Sequence, residues 1–112
     1  MKIGYARVST GLQNLDLQED SLKSEGCQKI FTDKISGAKS KRPGLVNAID
    51  FAREGDTIVV WRLDRLGRNM QDLITIVNQL NDRGVSFYSI QENITMDKSS
   101  STGQLMFHLF AA

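Results

Sequence analysis

Six residues near the middle of the chain, Asp56–Trp61 (DTIVVW), constrain its fold most tightly. The run ends in four consecutive apolar residues, so it has no polar face to turn to water. Strands of that kind sit in parallel sheets, where crossover helices cover both faces. The flanking sequence supplies such helices. Leu45, Ala48, Ile49 and Ala52 recur at i, i+3, i+4 and i+7, with Pro43 suited to the first turn and Gly55 beyond the end. Met70, Leu73, Ile76, Val77 and Leu80 form a second stripe. Asn69 is its N-cap, Asp72 three residues on gives a weaker form of the capping box, and Gly84 lies past its end.

The same alternation extends to both sides. Lys2–Val8 reads as a first strand, and Ser9, Thr10 and Gly11 as a turn and helix start. A helix over about 13–24 carries Leu15 and Leu22 and ends at Gly26; Lys29–Asp33 (KIFTD) is a short strand. Lys34–Gly44 has no periodicity and reads as a mobile basic loop, expected to be poorly ordered around Lys39–Lys41. Val85–Ile90 is a further strand, 97–103 a Ser-rich loop, and the last residues open an apolar helix that stops at Ala112 without a cap. Strand and helix in alternation imply an α/β fold, a three-layer sandwich around a mostly parallel sheet, in one domain over 1–112.

Composition narrows the chemistry. The single His108 cannot build a Cys/His zinc site, and the lone Cys27 forms no internal disulfide. Neither a membrane span of about 18–20 apolar residues nor a secretory leader is legible, so the default expectation is cytoplasmic. A net charge of +1 does not advertise a polyanion partner, so phosphate chemistry would need local clusters of arginine.

Such clusters exist. Ligands in open α/β sheets bind beyond the carboxyl ends of the strands, where Ser9 follows the first strand. Arg7 precedes it by two residues, about 6.5–7 Å along a strand, within reach of a phosphate at the Ser9 hydroxyl. Ser9 also suits a plain helix cap. After the third strand, WRLDRLGRN sets Arg62, Arg65 and Arg68 three apart around Asp64. One helical turn would place Arg65 and Arg68 on a shared face, able to grip phosphate bidentately. The plain alternative is a solvated turn with an Asp64–Arg68 pair. Arg42 lies on the basic loop at a helix N-terminus, a position that favours anions. Together, Ser9, Arg7, Arg42, Arg65 and Arg68 point to a serine nucleophile facing a phosphodiester.

GYARVST, LDLQ, DKISGAKSKRPGL, GDTIVVWRLDRLGRN and STGQLMFHLFAA resemble the catalytic domain of serine site-specific recombinases, the resolvase/invertase family, along essentially the whole chain. The resemblance implies a resolvase-like fold and Ser9 as a nucleophile that becomes a 5′-phosphoserine on DNA. It implies Arg7, Arg65 and Arg68 around the scissile phosphate and Arg42 delivered by the loop. Asp64 would orient an arginine or assist proton transfer, Gln13 and Gln18 would line the site, and Tyr5 would lie below it. No metal or nucleotide cofactor is implied. The family's long last helix, which builds dimers and tetramers, and its helix-turn-helix DNA-binding domain lie beyond Ala112. The expectation is therefore a chain cut inside that helix, by design or by nature: folded, inactive alone and at most weakly self-associating. Resolution, inversion or another mobile-element role is not legible.

Three rivals fit parts of the pattern. Asp33, Asp56 and Asp64 could hold Mg²⁺ in a nuclease. A flavodoxin-shaped, phosphate-responsive signalling domain would need an acidic pocket after the first strand. A remnant surviving as an interaction domain is the third.

Overall fold

The computed structural model describes residues 1–8, 15–34, 41–67 and 69–96. Among the described residues nine elements follow in order: β1 (Lys2–Val8), α1 (Leu15–Ser24), β2 (Lys29–Lys34), α2 (Pro43–Phe51), β3 (Thr57–Val60), α3 (Leu63–Leu66), α4 (Met70–Asp82), β4 (Ser86–Ser89) and β5 (Ile94–Met96). The sheet order is β2-β1-β3-β4-β5, parallel throughout except for the antiparallel β4–β5 pair.

Burial follows from the pattern of the strands. Ile58, Val59 and Val60 of β3 are fully buried, as a strand without a polar face requires. Ile3 and Tyr5 of β1 join one core with Leu45 and Ala48 of α2, Leu63 and Leu66 of α3, and the α4 stripe. Ala6 and Val59 face the other way, against Leu22 of α1. α1 therefore covers one face and α2, α3 and α4 the other, which is the three-layer sandwich. Fully burying each aliphatic side chain contributes about 1.5–3 kcal/mol. Leu73, Ile76, Val77 and Leu80 are all buried, while Met70, at the helix start, is only partly so.

The helix ends obey local rules. Asn69 accepts from the Asp72 amide at 2.8 Å, and Gly84 turns the chain with φ 71°. The capping box is only half formed. The Asp72 carboxylate turns away to Arg42 rather than back to the cap.

Two elements differ from expectation. β5 was not legible: it is three residues long, held by pairing to β4, and follows Asn93, which adopts φ 55°. The expected helical turn carrying both Arg65 and Arg68 stops short, because α3 ends at Leu66 and Gly67 is extended at φ −116°, ψ 150°. A Cβ at Gly67 would lie 2.7 Å from the Cα of Leu73, so the chain leaves α3 through a close crossing with α4 that only glycine permits. The expected final helix, the Ser-rich loop and residues 35–40 of the basic loop lie outside the described residues.

Candidate active site

The order β2-β1-β3 reverses the winding direction at β1, because α1 leads to one neighbour of β1 and α2 to the other. In sheets of this kind the crevice at that reversal, beyond the carboxyl ends, receives ligands. The four buried polar or charged residues among those described are Arg7, Gln18, Asp33 and Ser89. Arg7, Asp33 and Ser89 sit at or next to the carboxyl ends of β1, β2 and β4, and Gln18 packs against Arg7. Burying polar groups is costly without partners, so their concentration at one end marks it as built for more than packing.

Arg7 is the centre of the arrangement. β3 stops at Val60, paired opposite Tyr5, two residues short of Arg7. The fully buried side-chain amide of Gln18 takes both main-chain groups of Arg7. The Arg7 N–H donates to Gln18 Oε1 at 3.2 Å, and Gln18 Nε2 donates to the Arg7 carbonyl at 3.1 Å. Gln18 thus acts on the site through the backbone of Arg7. The Arg7 guanidinium reaches α3, where Nη2 donates to the carbonyls of Asp64 and, at 3.3 Å, of Gly67. Its Nη1 is buried with no hydrogen-bond partner among the described residues. Burial lowers the pKa of Arg7; Tyr5 and Asp72 oppose that shift, while Arg42 and Arg65 reinforce it. Arg7, Arg42 and Arg65 therefore share one electrostatic neighbourhood.

Arg65, on α3, has a buried Nε with no hydrogen-bond partner among the described residues. The nearest carboxylate oxygen, Asp64 Oδ1, is 4.0 Å away, too long for a hydrogen bond. Asp64 instead pairs with Arg62 at 2.6 Å, both side chains being about half exposed. Arg62 also lies 5.6 Å from the Trp61 ring, so this arginine faces outward. Of the three arginines in the motif, Arg65 turns into the crevice, Arg62 turns away, and Arg68 lies outside the described residues. α3 itself is held from its start: the Leu63 amide donates to Glu92 Oε1 at 3.2 Å, and the buried Ser89 hydroxyl bonds the same oxygen.

Arg42 lies at the N-cap position of α2, but its side chain makes no cap bond. It crosses to the α3–α4 joint, donating to Asp72 at 2.9 and 2.8 Å and to the Leu66 carbonyl at 3.3 Å. The cap of α2 comes from Asp33, which accepts from the Gly44 and Leu45 amides at 2.8 and 3.0 Å. Asp33 also accepts from the Tyr5 hydroxyl at 2.7 Å. Burial, with Asp33 beside it, pushes the Tyr5 hydroxyl far above its ordinary pKa, so Tyr5 is a neutral donor bracing β1 against α2.

Of the residues named from the sequence, Tyr5, Arg7, Gln18, Arg42, Asp64 and Arg65 lie at one end of the sheet, with the Asp64 carboxylate facing Arg62. Ser9, Gln13 and Arg68 lie outside the described residues; β1 ends at Val8, directly before Ser9. Asp33, Asp72 and Glu92 were not singled out as parts of this site. Their signal is only tertiary, because each acts on an element 11 to 30 residues away.

The carboxylates named for a metal nuclease do not converge. Asp33 is engaged at the α2 N-terminus, and Asp64 faces Arg62. Asp56 lies at the amino end of β3, bonded to the Met1 amine. No group of three His, Cys, Asp or Glu among the described residues could hold a metal ion. Among the described residues, the carboxyl end of β1 carries the Arg7 guanidinium, where a signalling domain of that shape needs carboxylates.

Comparison with known proteins agrees with this geometry. Residues 2–112 match the family model for the resolvase N-terminal domain. Over all 112 residues the chain is 82% identical to the transposon Tn552 DNA-invertase BinR of Staphylococcus aureus, of which it covers 58%. It is 80% identical to the Tn552 resolvase of the same species, covering 57%, and 50% identical to the serine recombinase gin of Escherichia phage Mu, covering 57%. Among solved structures, the N-terminal catalytic domain of TP901-1 integrase superposes with a TM-score of 0.70 at 35% identity, over 99% of this chain and 92% of that one. A resolvase family site-specific recombinase from Streptococcus pneumoniae has a TM-score of 0.74 over 99% of this chain and 85% of that one; at 21% identity it shows the fold alone. The chain belongs to the resolvase family and corresponds to its N-terminal domain. It spans less than three fifths of the curated relatives it matches. No helix among the described residues is long and apolar enough to cross a membrane.

Proposed function

We propose that these residues form the catalytic unit of a site-specific DNA recombinase in which Ser9 attacks a phosphodiester. The observation that carries this reading is the pair of buried guanidinium nitrogens without acceptors among the described residues, Arg7 Nη1 on β1 and Arg65 Nε on α3. Leaving a buried charged donor unpaired is expensive, and a phosphate oxygen supplies the missing acceptor. The names of the resolvase, invertase and recombinase relatives support the same chemistry.

In the proposed step the Ser9 hydroxyl gives up its proton and its oxygen bonds to phosphorus. The bond from phosphorus to the 3′-oxygen breaks, and that oxygen takes up a proton. The products are a 5′-phosphoserine and a free 3′-hydroxyl, which reverses the step on a new partner strand. The energy of the phosphodiester stays in the phosphoserine link, so the step needs no cofactor. Arg7 and Arg65, with Arg68, neutralise the charge that builds on phosphorus, each worth about 3–4 kcal/mol. A cationic pocket also favours the serine alkoxide. DNA is the proposed partner, with the protein acting on it as a dimer or tetramer. The compartment is proposed to be the cytoplasm, where the DNA lies.

The test uses a chimera in which residues 1–112 replace the matching region of BinR, incubated with DNA carrying the BinR site. Stopping the reaction in denaturant should trap protein covalently on DNA, and Ser9→Ala should leave none. An adduct that persists in the Ser9→Ala protein contradicts the reading.

A further inference from the structure

We propose that Asp72 is a positioning residue for the strand-cleavage reaction: it fixes the Arg42 guanidinium so that one edge remains presented to a DNA phosphate. The inference rests on the recombinase reading above.

A guanidinium carries five N–H donors in a rigid plane. Asp72 takes one from each terminal nitrogen, Nη1 at 2.9 Å and Nη2 at 2.8 Å, and the Leu66 carbonyl takes the second donor of Nη1 at 3.3 Å. Two donors are left uncommitted by those bonds, the Nε–H and the second N–H of Nη2. They lie side by side on one edge of the plane, the edge that grips two oxygens of a phosphate. Asp72 therefore occupies the end of the fork and leaves its side open.

The surroundings support a positioning role over a surface ion pair. The Arg42 and Asp72 side chains are 11% and 19% exposed, so the pair is shielded from solvent and its geometry is restrained. The Asp72 backbone is itself fixed, its amide bonded to the Asn69 cap. Leu66, the other acceptor, ends the same single-turn helix that carries Arg65 and whose Asp64 carbonyl holds Arg7. Arg42 is thereby set in one frame with Arg7 and Arg65. Asp72 also acts on Arg7 electrostatically, favouring its charged form against Arg42 and Arg65. A carboxylate at this point lets three guanidiniums stay close before DNA arrives.

The part of the Asp72 effect that runs through Arg42 can be isolated by a double-mutant cycle. Single-turnover cleavage in the chimera, at saturating DNA, should slow tenfold or more in Asp72→Asn. Asp72→Glu, which keeps the charge, should recover part of that loss. Asp72→Asn combined with Arg42→Ala should be clearly less impaired than the product of the two single effects, whereas a general loss of folding would multiply them. A wild-type rate in Asp72→Asn overturns the inference, as does multiplication in the double variant. Faster cleavage with tighter DNA binding in Asp72→Asn also overturns it, since Asp72 would then compete with phosphate. If Arg42→Ala slows cleavage and Asp72→Asn does not, the inference fails alone; if Ser9→Ala still forms the adduct, the recombinase reading fails.

Discussion

The two ends of the sheet are built from similar residues and solve opposite problems. At the amino end the polar groups close on one another. The Met1 amine and the Arg53 amide share the two oxygens of Asp56, the Gly55 amide bonds the Gly84 carbonyl, and the Ser86 amide bonds the Asp56 carbonyl. At the carboxyl end a network of the same kind, through Gln18, Asp33, Glu92 and Asp72, stops short of completion. It fixes Arg7 and Arg65 yet leaves a buried nitrogen on each without an acceptor among the described residues. Room alone does not mark the site, because an open depression of about 850 Å³ lies at the amino end, between Met1, Phe51 and Arg83. The incomplete hydrogen bonding is the better marker.

The contrast can be broken from either side. The largest effect after loss of the nucleophile belongs to Arg65→Ala. Removing a preorganised donor should slow cleavage in the chimera a hundredfold or more, with little change in thermal stability. A rate within threefold of wild type would remove Arg65 from the phosphate site.

Gln18→Leu comes next, and it separates holding from contacting. The volume is nearly kept, but the Arg7 N–H and carbonyl lose their partners, each costing about 1–3 kcal/mol. A clear fall in melting temperature should accompany the fall in cleavage. Lost cleavage with unchanged melting would mean that Gln18 touches DNA itself.

The smallest effect is expected at the amino end. The Arg53 amide and the Met1 amine hold the Asp56 carboxyl below its ordinary pKa. Its folded pKa lies below its unfolded one, so its contribution is present above the unfolded value and is lost as pH falls through the folded value. Asp56→Asn should therefore narrow the difference in melting temperature between pH 7 and pH 3. Cleavage at pH 7 should stay within twofold of wild type. A large loss of cleavage would show that the two ends are coupled.

Much of this was legible in the residues. The bounds of β1 follow from its pattern, and β3 was identifiable because four apolar residues in a row exclude a surface strand. The catalytic candidates were legible wherever a cation falls at the end of a strand, as with Arg7 and the RLDRLGR segment. What escaped is what the crossing of elements decides. Nothing in its own sequence assigns β5 to the sheet, since three residues become a strand only beside β4. Asp72 has the position of a capping-box residue, yet an arginine 30 residues earlier draws its carboxylate away from the cap. A helix continuing from Arg65 to Arg68 looks reasonable until Gly67 meets Leu73.

The central claim is that the carboxyl end presents a serine to a phosphate held by arginines. Proteolysis of the denatured protein–DNA adduct, followed by mass spectrometry of the peptide that retains nucleotide, tests it most directly. The expected result is a 5′-phosphate ester on Ser9 and on no other residue. An adduct at another side chain, or cleaved DNA with no protein attached, would contradict it.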